Sequence, residues 1–183
     1  RLSKAFGGVH AVRDVSFDVA PGELVALIGP NGAGKTTCFN LINGQLAPDS
    51  GAVRLDGVRI DGLPPPAVAH RGVARTFQVA ATFASMTVRE NVEVALLAHA
   101  RMDGQWLERN VAARRAAADA LLSRVGVAEL ARVHCATLTY GDAKRVELAL
   151  ALANMPRLLL MDEPTAGMAI AARADLMRLA ATL

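Results

Sequence analysis

An α/β fold is predicted for these 183 residues, on three observations. The apolar run Leu24-Val25-Ala26-Leu27-Ile28 leads into Gly29-Pro30-Asn31-Gly32-Ala33-Gly34-Lys35-Thr36-Thr37, and that order of strand, glycine-rich loop, lysine and hydroxyls builds a nucleotide phosphate site. A second apolar run, Leu158-Leu159-Leu160-Met161, delivers the acidic pair Asp162-Glu163. Between the two, composition changes after Gln78 from strand-like alternation to Ala, Leu, Glu and Arg with apolar spacings of three and four. Loop and acidic pair are the two halves of an ATP-hydrolysing centre, so the chain is expected to be an ATPase.

The elements follow in order. Leu2-Ser3-Lys4-Ala5-Phe6, a Gly7-Gly8 turn, Val9 to Arg13 and Val15 to Val19 alternate as short strands. Leu24 to Ile28 is expected to be the strand feeding the phosphate loop, followed by a helix from Lys35 to Asn43 that Gly44 stops. Val53 to Ile60 reads as a hairpin, and Leu63-Pro64-Pro65-Pro66 as a rigid connector. Val88 to Ala100 and Trp106 to Val125 read as helices of an inserted lobe, and a further helix is expected over Asp142 to Leu152. Met155 and Met161 read as core, Trp106 as an anchor of the lobe, and His10, His70 and His99 as packing or surface residues.

Within the loop, Gly29, Gly32 and Gly34 let the backbone curl with its N–H groups inward, and the helix opening at Lys35 adds the positive end of its dipole. Lys35 is placed to reach the β- and γ-phosphates, Thr36 to offer its hydroxyl to Mg2+, and Thr37 to lie nearer the α-phosphate. Asp162 stands where a Walker B carboxylate holds magnesium. Glu163 is the candidate for polarising the attacking water, because that work needs a carboxylate not committed to the metal. In isolation an acidic pair before Pro164 also caps a strand; beside the phosphate loop it reads as catalytic.

Composition narrows the class. At 52% hydrophobic and 20% charged, with aromatics at 4%, the chain builds an aliphatic core and no aromatic recognition surface. A net charge of +3 with scattered basic residues, Arg71 and Arg75 standing alone and Arg114-Arg115 in an alanine-rich helix, does not point to nucleic acid. Cys38 and Cys135 lack metal spacing, so neither zinc nor a disulfide is expected, and a reducing compartment is implied. There is neither a leader-like start nor an apolar stretch long enough to span a bilayer, so membrane attachment would run through another chain.

On these residues the chain resembles the ATP-binding subunits of ABC transporters, most closely those of the branched-chain amino-acid or urea/amide importers, along essentially its whole length. The family's signature, commonly Leu-Ser-Gly-Gly-Gln, is matched by Leu138-Thr139-Tyr140-Gly141-Asp142, with Asp142 the less expected residue. The resemblance implies a phosphate-loop core of ABC type over 1–78 and 154–183, with an N-terminal antiparallel β subdomain and an α-helical subdomain over about 79–153. It implies that Phe6 stacks on adenine, although on composition alone Phe6 reads as a strand residue of the core rather than a cofactor contact, and that Gln78 senses the γ-phosphate and Mg2+. It also implies that Thr139 and Gly141, at a helix N-terminus, close over the ATP of a second copy, and that Ala166-Gly167-Met168 touches that copy.

The implied working form is a head-to-tail pair of ATP-binding subunits, peripheral at the cytoplasmic face of the inner membrane. It would bind transmembrane permease subunits directly and a periplasmic solute-binding protein only indirectly. The segment from Val79 to Met86 resembles the surface that receives a permease coupling helix; Phe83 and Met86 would line that socket or else pack the helical lobe. An export ATPase, such as that of lipopolysaccharide export, and a soluble non-transport ABC ATPase share the same core and stand as alternatives. The family's switch histidine would fall beyond Leu183, His134 is no substitute, and Ala169 stands where the family carries Asp or Asn. The chain is therefore expected to be C-terminally truncated, binding ATP and hydrolysing it weakly.

Overall fold

The computed structural model describes residues 1–76, 82–103 and 110–182. Its chain forms two compact units, Arg1–Arg71 and Gly72–Leu183.

In the first unit, β1 (Leu2–Phe6) and β2 (Val9–Val15) form an antiparallel hairpin closed at Gly7, whose φ of 58° suits a residue without Cβ. The Lys4 ammonium donates to Asp49 Oδ1 at 2.6 Å, and the Ala5 N–H to Asp49 Oδ2 at 2.7 Å, tying the hairpin to the chain that follows α1. That helix, α1 (Lys35–Ile42), buries Cys38, Leu41 and Ile42 and ends at Asn43, before a left-handed Gly44, close to the expected bounds. The pair β3 (Arg54–Leu55) and β4 (Val58–Arg59) turns at Asp56 and Gly57, both at positive φ, as a two-residue hairpin loop requires.

Three expectations for this unit are corrected. Leu24 to Ile28 joins no ladder among the described residues, and Leu24, Val25, Leu27 and Ile28 are exposed. An apolar run is strand-like only where neighbours pair it, and within this unit both ladders are two-stranded ribbons made by other segments. Pairing of the second strand stops at Val15 and does not continue to Val19. The proline triplet does not merely connect: Pro64 caps, and Pro65 and Pro66 open, the short helix α2 (Pro65–His70), where a missing N–H costs nothing.

In the second unit, β5 (Val73–Thr76) runs parallel to β6 (Leu158–Met161), with Arg75 opposite Leu160 and Thr76 opposite Met161. Against these strands lies a helical assembly of α3 (Val88–Asp103), α4 (Val111–Arg124), α5 (Tyr140–Leu152) and α6 (Ile170–Ala180). Thr87 and Glu90 exchange bonds at the start of α3, Glu90 Oε2 accepting from the Thr87 N–H at 2.7 Å and Thr87 Oγ1 accepting from the Glu90 N–H at 3.3 Å. Asn110 caps α4 by accepting from the Ala113 N–H at 2.9 Å. Val88, Val92, Leu122, Val125, Val146, Leu148 and Leu176 are fully or almost fully buried in a single apolar cluster. This is the aliphatic core that the composition predicts.

Met155 departs from expectation: it is 73% exposed, at a left-handed φ of 44°, where the chain turns out of α5 toward β6. Met161 is half-buried against the core cluster, as expected. Trp106 lies outside the described residues.

Candidate functional site

The phosphate loop is held from beneath by β2. Gly34 caps α1 with φ of 85°, and a Cβ there would sit 2.0 Å from the Ala11 carbonyl oxygen, so only glycine allows this approach. Gly32 is also left-handed, at φ 81°, but with open space around it. Gly29 is not left-handed, so the expected curl rests on Gly32 and Gly34. The Lys35 ammonium donates to the carbonyls of Gly29 and Pro30, each at 2.8 Å, bridging the mouth of the loop. Asn31 and Thr36 are exposed and Thr37 is half-buried at the open end of α1, which has no side-chain cap. The first-turn N–H groups therefore remain available to an anion. Phe6 ends β1 with its ring 49% exposed and the Lys4 ammonium 5.8 Å from its centroid, so it is a surface ring and not a core residue.

The acidic pair follows β6 directly. Asp162 Oδ2 accepts from an Arg75 guanidinium N–H at 2.8 Å, with the side chains 14% and 8% exposed. Among the described residues Asp162 Oδ1 accepts no hydrogen bond, so one carboxylate oxygen is held and one is offered, which fits a hard, oxygen-seeking cation such as Mg2+. Glu163 is exposed, with φ of 47°. This conformation is uncommon outside glycine. Gln78, expected to sense phosphate and metal, lies outside the described residues, so no geometry bears on it.

The signature segment is an N-terminal cap. Thr139 caps α5, its Oγ1 accepting from the Asp142 N–H at 3.2 Å and donating to Asp142 Oδ2 at 2.6 Å. The helix thus starts at Tyr140, two residues before the expected Asp142. The Thr139 hydroxyl, expected to supplement an anion site, is already committed to Asp142, which leaves the N–H groups of Tyr140 and Gly141 as the donors at that end. The ring of Tyr140 lies against Gly167: a Cβ on Gly167 would stand 3.5 Å from Tyr140 Cε1. The buried Lys144 ammonium lies 5.8 Å from the centroid of the same ring and donates to Glu147 at 2.9 Å. Ala166-Gly167-Met168 is thereby seated against the signature helix, with Met168 buried and its carbonyl accepting from Arg173 Nε at 2.7 Å.

Residues 82–87 are pinned from inside. Asn91 is buried and accepts from the Phe83 N–H at 2.7 Å while donating to the carbonyls of Phe83 and Thr87 at 3.1 and 2.9 Å. The Phe83 ring is left 58% exposed and Met86 is half-buried, so the packing alternative fails for Phe83. Cys38 and Cys135 are free thiols; burial pushes both pKa values up. Among the described residues no three His, Cys, Asp or Glu side chains gather as a metal cluster, and no helix is long and apolar enough to cross a membrane.

Sequence reasoning missed Arg75, read as standing alone; the available signal was a basic residue directly after the apolar pair Val73-Ala74.

Comparison with known proteins gives a consistent set of matches. The profile of the ABC transporter family matches residues 12–166. The high-affinity branched-chain amino acid transport ATP-binding protein BraF of Pseudomonas aeruginosa is 40% identical over 176 residues, spanning 91% of this chain and 68% of the relative. LivG of Escherichia coli, described in the same terms, matches to the same extent. The ADP conformation of MJ1267, an ATP-binding cassette of an ABC transporter, superposes with a TM-score of 0.86 at 30% identity, over 99% of this chain and 73% of that one. A dimeric post-hydrolysis structure of the cassette MJ0796, bound to ADP and Pi, superposes with a TM-score of 0.79 at 27% identity, over 98% of this chain and 78% of that one.

Proposed function

The chain belongs to the ABC transporter family and is an ATP hydrolase of that type, and on this premise we propose that it powers import of branched-chain amino acids through membrane partners. The observation that carries the solute class is the 40% identity, over 91% of the chain, to two ATP-binding proteins of branched-chain amino acid transport.

The residues divide the work as follows. Lys35 exchanges the carbonyls of Gly29 and Pro30 for β- and γ-phosphate oxygens, and the N–H groups around Gly32, Gly34 and Asn31 wrap the chain of phosphates, with Thr37 nearer the α-phosphate. The half-exposed ring of Phe6 stacks on adenine. Thr36 and the open oxygen of Asp162, with Gln78, hold the nucleotide's Mg2+, which when bound offsets the negative charge of the phosphate oxygens. Glu163, outside that ligand set, orients the attacking water. Thr139 and Gly141 meet the nucleotide of a second copy, mainly through the N–H groups that open α5, so the working form is a pair. In this reading the core comprises 1–78 and 154–183 and the helical subdomain about 79–153. The pair sits peripherally on the cytoplasmic face of the membrane beneath permease subunits, with a periplasmic binding protein delivering solute from the other side.

The test is affinity capture of the tagged protein carrying Glu163→Gln from detergent-treated membranes with ATP present. Polytopic permease subunits of an amino-acid importer, identified by mass spectrometry, are expected; recovery of soluble partners alone would refute the reading.

A further inference from the structure

We propose that Arg75 is a resident counter-charge for Asp162, standing in for the metal and giving way to it. The inference rests on the reading that Asp162 faces the Mg2+ of the nucleotide. Arg75 lies on β5, opposite Leu160 of the parallel β6, so its side chain reaches two residues along the neighbouring strand to the carboxylate just past that strand's end. The contact is a single charge-assisted bond of 2.8 Å between side chains 8% and 14% exposed.

An ionised carboxylate this far from water is unfavourable unless a positive group accompanies it. Arg75 supplies that group and takes only Oδ2. Among the described residues Oδ1 stays unengaged, so the carboxylate is held in one orientation and half available. The same arrangement weakens the metal's hold. A guanidinium on one oxygen and a divalent cation on the other repel across a single carboxylate, and that repulsion outweighs the advantage of having the carboxylate torsions already fixed. Arg75 therefore stabilises the metal-free protein and opposes Mg2+, keeping the ion exchangeable with its nucleotide.

The experiment is thermal unfolding of the wild type, Arg75→Met and the pair Arg75→Met with Asp162→Asn, each alone, with ADP and EDTA, and with ADP and Mg2+. Arg75→Met should unfold roughly 6–20 °C lower without metal, the loss typical of stranding one member of a buried ion pair. Mg2+ should return part of that loss, so the metal-dependent rise exceeds that of the wild type and the metal-dependent part of ADP affinity grows about tenfold. The double variant should recover most of the metal-free stability, because neither charge is then stranded, and should do so even if the single variant does not fold. A metal-dependent rise equal to or smaller than that of the wild type, or a double variant as unstable as the single, overturns the proposal. A wild type that ADP stabilises equally with and without Mg2+ overturns the magnesium role of Asp162, and this inference with it.

Discussion

Replacing Gly34 and Gly32 separately by alanine tests whether the phosphate loop is shaped by conformation alone or also by contact with β2. Both residues are left-handed, at φ 85° and 81°. Holding an L-residue there costs about 1–2 kcal/mol. At Gly32 that is the whole effect, since nothing lies within 4 Å of the added carbon. At Gly34 the new Cβ would stand 2.0 Å from the oxygen and 3.1 Å from the carbon of the Ala11 carbonyl. The obstacle is strand backbone, at the irregularity in β2 between His10 and Val12, rather than the end of a flexible side chain, so a further 1–3 kcal/mol or so of overpacking is added. For a chain of this size each kcal/mol shifts the unfolding midpoint by about 2–4 °C. Gly32→Ala should therefore lower it by roughly 2–8 °C and Gly34→Ala by roughly 4–20 °C, an excess of roughly 2–12 °C for the clash. Unfolding followed by circular dichroism measures the difference, and titration with a fluorescent ATP analogue should show the larger loss of binding for Gly34→Ala. Equal midpoints, or a reversed order, would refute the argument that β2 buttresses the loop through Ala11.

Two further predictions use the exposed and the charged groups. Phe83→Asp should leave the unfolding midpoint and nucleotide affinity near those of the wild type, because Asn91 holds this segment through its backbone and the ring is largely in solvent. Co-purification with permease subunits should fall, and retained co-purification would remove Phe83 from the proposed docking surface. Acid should destabilise the first unit through Asp61 and Asp49. The Arg59 guanidinium, with help from the Val53 N–H, holds the Asp61 carboxyl below its ordinary 3.8, and the Lys4 ammonium and Ala5 N–H do the same for Asp49. A depressed carboxyl contributes fully above its ordinary value and loses that contribution as pH falls through the lower folded value. Midpoints measured over a descending pH series should therefore fall below pH 3.8 less steeply in Asp61→Asn than in the wild type; an unchanged slope would refute the assignment.

Local chemistry made part of this structure legible. The bounds of α1 follow from a glycine on each side, the β3–β4 hairpin from Asp56-Gly57, and β6 from a run of leucines before an acidic pair. What could not be read depends on partners distant in sequence. Leu24 to Ile28 has strand composition, yet composition cannot say which segment completes a ladder, and among the described residues none does. Arg75 looks isolated because the residue it serves is 87 positions away. Pro65 and Pro66 show how one residue type takes two roles: proline breaks a helix interior but suits its first turn, and only the geometry of Pro64 decides between them. Asp142 was the least expected residue of the signature by resemblance, and its position makes it a capping partner of Thr139.

That last detail recurs across the candidate site and bears on how tightly it can bind. The Lys35 ammonium rests on the Gly29 and Pro30 carbonyls, the Asp162 carboxylate on Arg75, and the Thr139 hydroxyl on Asp142. These three side chains already have internal partners, whereas the first-turn N–H groups of α1 and, among the described residues, Asp162 Oδ1 do not, so only the contacts formed by the committed atoms replace ones that are given up. Exchange contributes only the difference between two interactions, in the way that intramolecular hydrogen bonds add modestly to stability because water is displaced. Lys35 gains most, trading neutral carbonyl dipoles for phosphate charge. Asp162 gains less, because a full positive charge is already beside it. The strongest anchor should then be the phosphate loop and the weakest the metal. Such an order would let the chain retain nucleotide while its metal turns over.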